Sequence, residues 1–466
     1  MNIKEYIKIC KIYDNILLSD KSSIVTHAIS KLHVLKEHPE TINYFTNSPF
    51  VGFIKNKYIK KILYFFFNFL IEKNFFYYNE SQTTSNLDYL IISPLINKKF
   101  LNSKEDFYFG NIESKLKNKS KNKSKIYYVY RNFTEINGKF LFKSLKKKNR
   151  IILSQKSDLF SEISFLFLAF LEFLKFKFIF KKVNNISIFD FFSIIPNLRL
   201  SKQIIEIIKI KKPRIVIYTF EGHAWERVLN KSIKKFNKEI ITLGYQFSIT
   251  TKYQHSIFRP LKNGYNPDYI LTSGNITKKK FLDSYKNLVK NVKVLGSNKL
   301  FYVNRKKNNN NHILIVPEAF FLETKKMFDF SIKASVLFPH KKFIFRPHPM
   351  FFNNASLYKQ QIPRNMLISK NSLKEDLLKS KFLVFRGTAV VFQACVNNII
   401  PIFLKNKNEL NFNPMAEFFP KILNIHDEKG LSKIFCIKNI QSKNKIFKKY
   451  SKKYFKNINT NFLSNI

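Results

Sequence analysis

The chain has 466 residues, with 82 Lys+Arg against 31 Asp+Glu, a formal net charge of +51, and 45% hydrophobic and 16% aromatic residues. That length is too great for one ordinary core and calls for two domains, while the hydrophobic share is that of a globular protein. The charge asks for an anionic partner, yet the basic residues run the whole length without zinc spacing, ribonucleoprotein motif or basic zipper, so nucleic acid is not expected; three distant cysteines, Cys10, Cys395 and Cys436, exclude a disulfide framework and fit a reducing cytosol.

From the amino terminus, Lys4, Glu5, Lys8 and Lys11 interrupt any apolar core of a secretory signal. The longest apolar runs, Ile62 to Ile71 and Ile163 to Leu171, fall well short of the ~20 residues a bilayer-crossing helix needs. Flanking lysines would suit a membrane interface, but both runs read as helices of the core. Lys, Asn, Ile and Phe are abundant together, the mark of an AT-rich genome, so part of the positive charge is compositional drift. The remainder favours an anionic membrane surface.

From Asp88 short β-rich runs alternate with helical patterns. The spacing predicts strands at Tyr89 to Ile92, Ile126 to Tyr130, Arg150 to Leu153, Arg214 to Tyr218, Ile240 to Leu243, Tyr269 to Leu271 and Val292 to Leu295. Alternation of this kind gives a parallel sheet with helices on both faces. The polar run Asn304 to Asn311, NRKKNNNN, has no hydrophobic period and separates an amino-terminal domain, 1–303, from a carboxyl-terminal one, 312–466, with a basic tail. Beyond it strands are predicted at His312 to Val316, Lys342 to Phe345, Met366 to Ile368, Phe382 to Phe385 and Ile399 to Leu404. Helices are predicted at Phe321 to Phe338, Leu373 to Ser380 and Ala389 to Val396. Ser372 followed by Glu375 is a capping box for the middle helix. Five of ten glycines, Gly222, Gly244, Gly264, Gly274 and Gly296, cluster in the middle of the chain and read as a lining of the cleft. The fold class is therefore α/β, with two Rossmann-like domains facing a cleft.

Ligands of open α/β sheets bind outside the carboxyl ends of strands. In the second half these positions are Pro317-Glu318, the rigid turn Arg346-Pro347-His348-Pro349, and Arg386-Gly387-Thr388. Two turns that open with arginine, at the ends of what read as neighbouring strands, suit the phosphates of an activated sugar. Gly387 and Thr388 open a helix whose amides can hold a phosphate, and His348 can donate to a phosphate or protonate a leaving group. The competing reading is a capped helix with a solvated arginine.

In the first half a buried strand ends in Glu221-Gly222-His223. Glu221 is placed as a general base for an acceptor hydroxyl, or else as the acid that caps the next helix. Glu226 reads as a helix-face residue paired with Arg227 or Lys231. Gly222, His223, Glu226 and Gln246 are weaker acceptor-side candidates, and His255, Arg259 and Lys262 lie in a loop able to cover an acceptor. With no Asp-x-Asp motif and no paired carboxylates at metal spacing, no metal is expected. The absence of Gly-x-Gly-x-x-Gly and of a P-loop argues against NAD enzymes and NTPases.

With Glu221-Gly222, His348-Pro349 and Gly387-Thr388 in place, the chain between about Arg214 and Leu404 resembles the GT-B glycosyltransferases of bacterial surface polysaccharide synthesis, in particular the sialyl-, polysialyl- and Kdo transferases. The resemblance implies a catalytic base at Glu221, nucleotide and phosphate contacts at His348, and phosphate contact at Gly387-Thr388. Where that group tends to carry a Ser/Thr pair, this chain has Gly387-Thr388. The expected activity is inverting, metal-independent transfer of a sugar, CMP-activated sialic-acid-like or Kdo, to a surface glycan or lipid-linked acceptor. Glu221 and His348 would be catalytic, with Arg346, Pro349, Arg386, Gly387, Thr388 and Glu318 on the donor. Such an enzyme would be cytoplasmic and peripheral on the inner membrane. Two rivals are a CDP-glycerol or ribitol-type phosphotransferase, and a non-catalytic polysaccharide- or membrane-binding protein on the same scaffold.

Overall fold

Runs such as His312–Val316 (HILIV) and Pro213–Thr219 (PRIVIYT) are apolar on both faces, as strands covered by helices on either side must be. A computed structural model describes residues 2–33, 75–76, 86–118, 124–134, 136–181, 183, 186–262, 264–285, 291–303, 311–318, 320–351, 360–406, 409–410, 412–415, 423–437 and 441–465. The run Ile62 to Ile71 and most of Asn304 to Asn311 lie outside the described residues.

Fourteen described strands form two sheets. The first comprises β1 (Phe75–Phe76), β2 (Leu87–Leu95), β3 (Ile126–Asn132), β4 (Arg150–Leu153), β5 (Pro213–Thr219), β6 (Ile241–Gln246), β7 (Tyr269–Thr272) and β8 (Val292–Val294). Its order is β1-β4-β3-β2-β5-β6-β7-β8, parallel throughout except at β1. The second comprises β9 (His312–Val316), β10 (Phe343–Phe345), β11 (Met366–Ile368), β12 (Ser380–Phe385), β13 (Ile400–Leu404) and β14 (Leu423–Ile425). Its order is β11-β10-β9-β12-β13-β14, all parallel. Counted within its own sheet this is 3-2-1-4-5-6, the doubly wound order, and β4-β3-β2-β5-β6-β7 repeats it in the first. The protein is thus α/β with two Rossmann-like units, as expected.

Doubly wound sheets reverse direction once, and the crevice opens there. In the first sheet the reversal lies between β2 and β5, whose end leads into Glu221; in the second it lies between β9 and β12, whose ends lead into Glu318 and Gly387. One expectation is corrected by this order. β10 and β12, which carry the two arginine turns, are not neighbours, because β9 runs between them and delivers Glu318 to the middle.

The carboxyl-terminal helix Gln441–Tyr454 returns toward the first unit. The Tyr454 ring stacks on Phe392 of the second unit with centroids 4.2 Å apart, while its hydroxyl accepts from the Thr250 amide at 2.5 Å. Beyond it Lys456 and Asn459 bond the backbone of Ser273, Ser297 and Leu295. Ile458 and Leu463 are buried in the core of the first sheet, so the end of the 312–466 segment packs with the other unit. Two of the clustered glycines have their reason here. A Cβ on Gly274 would collide with the Tyr454 carbonyl oxygen and one on Gly296 with that of Asn457, so they make room for the tail and not for a ligand.

The run Ile163 to Leu171 belongs to the long helix Leu159–Ile179, and it is not the buried element expected. Ser161, Glu162, Phe165, Ala169, Glu172 and Phe176 form its inward stripe, while Ile163, Phe167, Phe170 and Leu171 are exposed.

Candidate functional site

After β5 the chain turns at Phe220-Glu221-Gly222 into helix Ala224–Phe236. Gly222 has φ +81°, and a Cβ there would meet the Ser256 carbonyl oxygen at 2.5 Å, so only glycine takes this bend. The turn is held from below by Glu226. Its carboxylate accepts from the amides of Glu221 (2.9 Å), Gly222 (2.7 Å) and His223 (2.9 Å) and is almost wholly buried. Burial pushes its pKa up to about 7, against the pull of His223 and with the push of the Glu221 charge. Glu226 is therefore neither a helix-face residue paired with Arg227 or Lys231 nor an acceptor contact. It does the capping that was one reading of Glu221.

Glu221 is left with its side chain about one-fifth exposed and its Oε2 3.4 Å from His223 Nε2. Around it the fold gathers groups that sequence reasoning did not single out. The half-buried Lys299 donates to the Phe247 carbonyl at 2.7 Å; burial draws its pKa down to about 8, with the Glu221 charge opposing. Tyr108, edge-on to Phe247 at 4.5 Å, has its phenol held above the ordinary range by burial and by the charges of Glu221 and Asp106. Nothing in the sequence marks one lysine among 82 basic residues as special. Its position after the last strand of the first sheet is the only available hint.

Gln246 is fully buried and turned inward, donating to the Ser248 carbonyl, with no hydrogen-bond partner at Oε1 among the described residues. That corrects its assignment to the acceptor. His255 and Arg259 do not cover an acceptor either: both bind Asp14, at 2.7 Å and 2.5 Å, and moor helix Ile3–Leu17.

In the second unit both expected phosphate arginines are already neutralised. Arg346 Nη1 donates to the buried Asp376 and to the Asn371 carbonyl, each at 2.7 Å. Arg386 has no exposed surface. Its Nε donates to Glu323 Oε2 at 2.5 Å, its Nη1 to the Leu404 carbonyl at 2.8 Å and its Nη2 to Glu409, and the guanidinium lies 4.9 Å from the Phe412 ring centre. A cation so enclosed organises the end of β12 and cannot meet a donor phosphate, which corrects the role expected for it.

The remaining second-unit candidates do converge. Glu318 Oε1 accepts from the Gly387 amide at 2.7 Å, and a Cβ on residue 387 would come within 2.6 Å of that oxygen. His348, half-buried, has its pKa lowered by burial and raised in part by the Glu318 charge. Thr388, next to Gly387 in the chain, is half-buried, and Pro349 is exposed. The helix that follows starts at Val390 and has seven residues, so Gly387 and Thr388 precede it. The amide expected to meet a phosphate thus meets a carboxylate.

The two halves adjoin at residue 299. The Lys299 ammonium lies in the field of Glu221, while its carbonyl accepts from Gln393 Nε2 at 2.6 Å, on the helix that follows Gly387-Thr388. Asn397 likewise donates to the Phe301 carbonyl at 3.0 Å.

No protein-family model matches the sequence, and no curated protein matches it. Among solved structures the chain is similar to a putative UDP-N-acetylglucosamine 2-epimerase from Listeria monocytogenes, at TM-score 0.47 and 10% identity over 82% of this chain and 94% of that one. It is similar also to the calicheamicin glycosyltransferase CalG4, at 0.48 and 9% over 78% and 94%. The UDP-GlcNAc 2-epimerase from Neisseria meningitidis, bound to UDP-GlcNAc, gives 0.46 and 9% over 80% and 95%. TM-scores below one half leave the fold to be read from strand order, and no residue role passes from these proteins to this chain.

Proposed function

We propose that the protein is a nucleotide-sugar-dependent glycosyltransferase of GT-B type, inverting and metal-independent, acting on a glycan or lipid-linked acceptor at an anionic membrane surface. The observation that carries this reading is that each sheet presents an acidic turn at its reversal point, one with Glu221 and the other with Glu318 and Gly387, and that Lys299, beside the charge of Glu221, accepts at its carbonyl from Gln393 on the helix following Gly387. Glu221 takes the proton of an acceptor hydroxyl; the oxygen attacks the anomeric carbon; the bond to the nucleotide phosphate breaks and its electron pair leaves with the phosphate. His223 steadies the carboxylate, and the Lys299 ammonium offsets charge beside it. With Arg346 and Arg386 engaged elsewhere, Glu318 and His348 hold hydroxyls of the nucleoside, and Thr388 with the Gly387 amide meets the phosphate once Glu318 turns to the ribose. CMP-sialic-acid-like and Kdo donors are the first to test.

The carboxylate on the Gly387 amide also favours a second reading, a non-catalytic glycan-binding protein on this scaffold, because an internal anion stands where a donor phosphate would bind. One experiment separates the readings. Purified protein is given CMP-, UDP- and CDP-activated donors with candidate acceptors, and nucleotide release is measured for wild type, Glu221→Gln and His348→Ala. Release that falls at least ~100-fold in Glu221→Gln supports the transferase. CMP release from CDP-glycerol indicates phosphoryl transfer. An active preparation indifferent to both substitutions refutes the residue roles, and failure to bind any donor leaves the glycan-binding reading.

A further inference from the structure

Helix Leu159–Ile179 is inverted. Both of its carboxylates point into the protein: Glu162 accepts from Arg199 Nη2 at 2.6 Å and the Ser157 amide at 2.9 Å, and Glu172 accepts from Thr26 and from Ser23 at 3.3 Å. Its outer face carries instead Phe160, Ile163, Phe167, Phe170, Leu174 and Phe178, the first and last of them 85% and 76% exposed. An apolar groove of about 420 Å³ runs between this helix and Phe191-Phe192. A single exposed phenylalanine needs no explanation, but an unbroken row along five turns does.

We propose that this face is a docking surface for an anionic lipid bilayer, with the helix lying in the interface plane and its phenylalanines inserted at the headgroup boundary. Charge decides the occupant. Lys175, Lys177 and Lys181 are exposed at the carboxyl end of the row, where they meet lipid headgroups. Asp158, the exposed carboxylate that caps the other end, is paired with Lys202 at 3.0 Å. A second copy of a chain with net charge +51 is repelled, whereas an anionic surface is attracted. No helix among the described residues is long and apolar enough to cross a membrane, so the contact is peripheral. Apolar insertion supplies the residence that lysines alone do not. The inference rests on the membrane-surface part of that reading and names the face that makes the contact; its test is independent of transferase activity, since vesicle binding is measured without nucleotide.

The test is co-sedimentation of the full chain with vesicles of phosphatidylcholine alone and with ~30% phosphatidylglycerol, at 0.1 M salt, where exposed charges are screened beyond ~10 Å. Wild type is expected on the anionic vesicles, with Phe167→Asp/Phe170→Asp weakening binding at least ~10-fold and Lys175→Glu/Lys177→Glu weakening it and flattening its salt dependence. The variant Phe160→Ser/Phe178→Ser, at the most exposed positions, repeats the measurement if the first pair fails to fold. Binding unchanged by either apolar pair overturns the proposal and assigns membrane contact to diffuse charge. Absence of vesicle binding overturns it too: a dimer lost in Phe167→Asp/Phe170→Asp would identify a second copy, and a lowered unfolding midpoint would identify another segment of this chain as the cover.

Discussion

Replacing Glu226 by glutamine removes a titrating proton from beneath the turn that presents Glu221. Burial lifts the Glu226 pKa from 4.5 to about 7, His223 and the amides of residues 221 and 223 opposing and the Glu221 charge adding. Because the folded value is the higher, the folded protein holds this proton more tightly than the unfolded chain. The associated stabilisation is complete below about pH 4.5, is lost as pH rises toward 7, and is absent above. The interval from 4.5 to about 7 corresponds to ~3 kcal/mol. Trp225, the only tryptophan in the chain, adjoins Glu226 and lies under the Arg131 guanidinium at 4.2 Å, so its fluorescence reports unfolding of this unit. Urea unfolding at pH 5 and pH 8 should show wild type losing ~3 kcal/mol relative to Glu226→Gln, all other groups titrating alike in both. Parallel pH dependence of the two proteins, within ~1 kcal/mol, would refute the buried-proton account of the turn.

Arg386→Met leaves Glu323 buried without its cation and should cost ~3–5 kcal/mol in the second unit, read as hydrogen-exchange protection lost from β9 and β12; undiminished protection would mean the ion pair is dispensable. Gly222→Ala, forced onto φ +81° against the Ser256 carbonyl, should lower the Trp225-monitored stability by ~2 kcal/mol or more, and an unshifted midpoint would show that the turn can relax. Tyr454→Phe strips the Thr250 amide of its acceptor, at ~1–3 kcal/mol, and should speed proteolytic release of the carboxyl-terminal segment; an unaltered cleavage rate would argue that the tail is held by its apolar contacts alone.

Most of the strand set was legible because a strand of a covered parallel sheet is a short continuous apolar run, as β9 and β5 are, set between longer helical patterns. Two of the four described edge strands were not: β1 and β14, two and three residues long, were missed, while the edges β8 and β11, three residues each, were read correctly. Glu221, Glu318 and Gly387 could be picked out because strand ends in a doubly wound sheet are named by order alone. Arg386 could not be judged, since whether an arginine at a strand end faces a ligand or the interior depends on Glu323 and Glu409, 63 and 23 residues away along the chain. The helix Leu159–Ile179 misled for the opposite reason. It is apolar nearly all round, so hydropathy carries no direction, and only the partners of Glu162 and Glu172 reveal which side is in.

Among the described residues the polypeptide passes between its two halves near Lys299 and again beyond Tyr454, and these crossings touch, the Lys299 ammonium lying 5.6 Å from the centre of the Phe455 ring. A pair of tethers so close together acts as one pivot. Were the units to turn about it, the outer rims would move most and the groups beside Lys299 least, so Glu221 would keep its local surroundings.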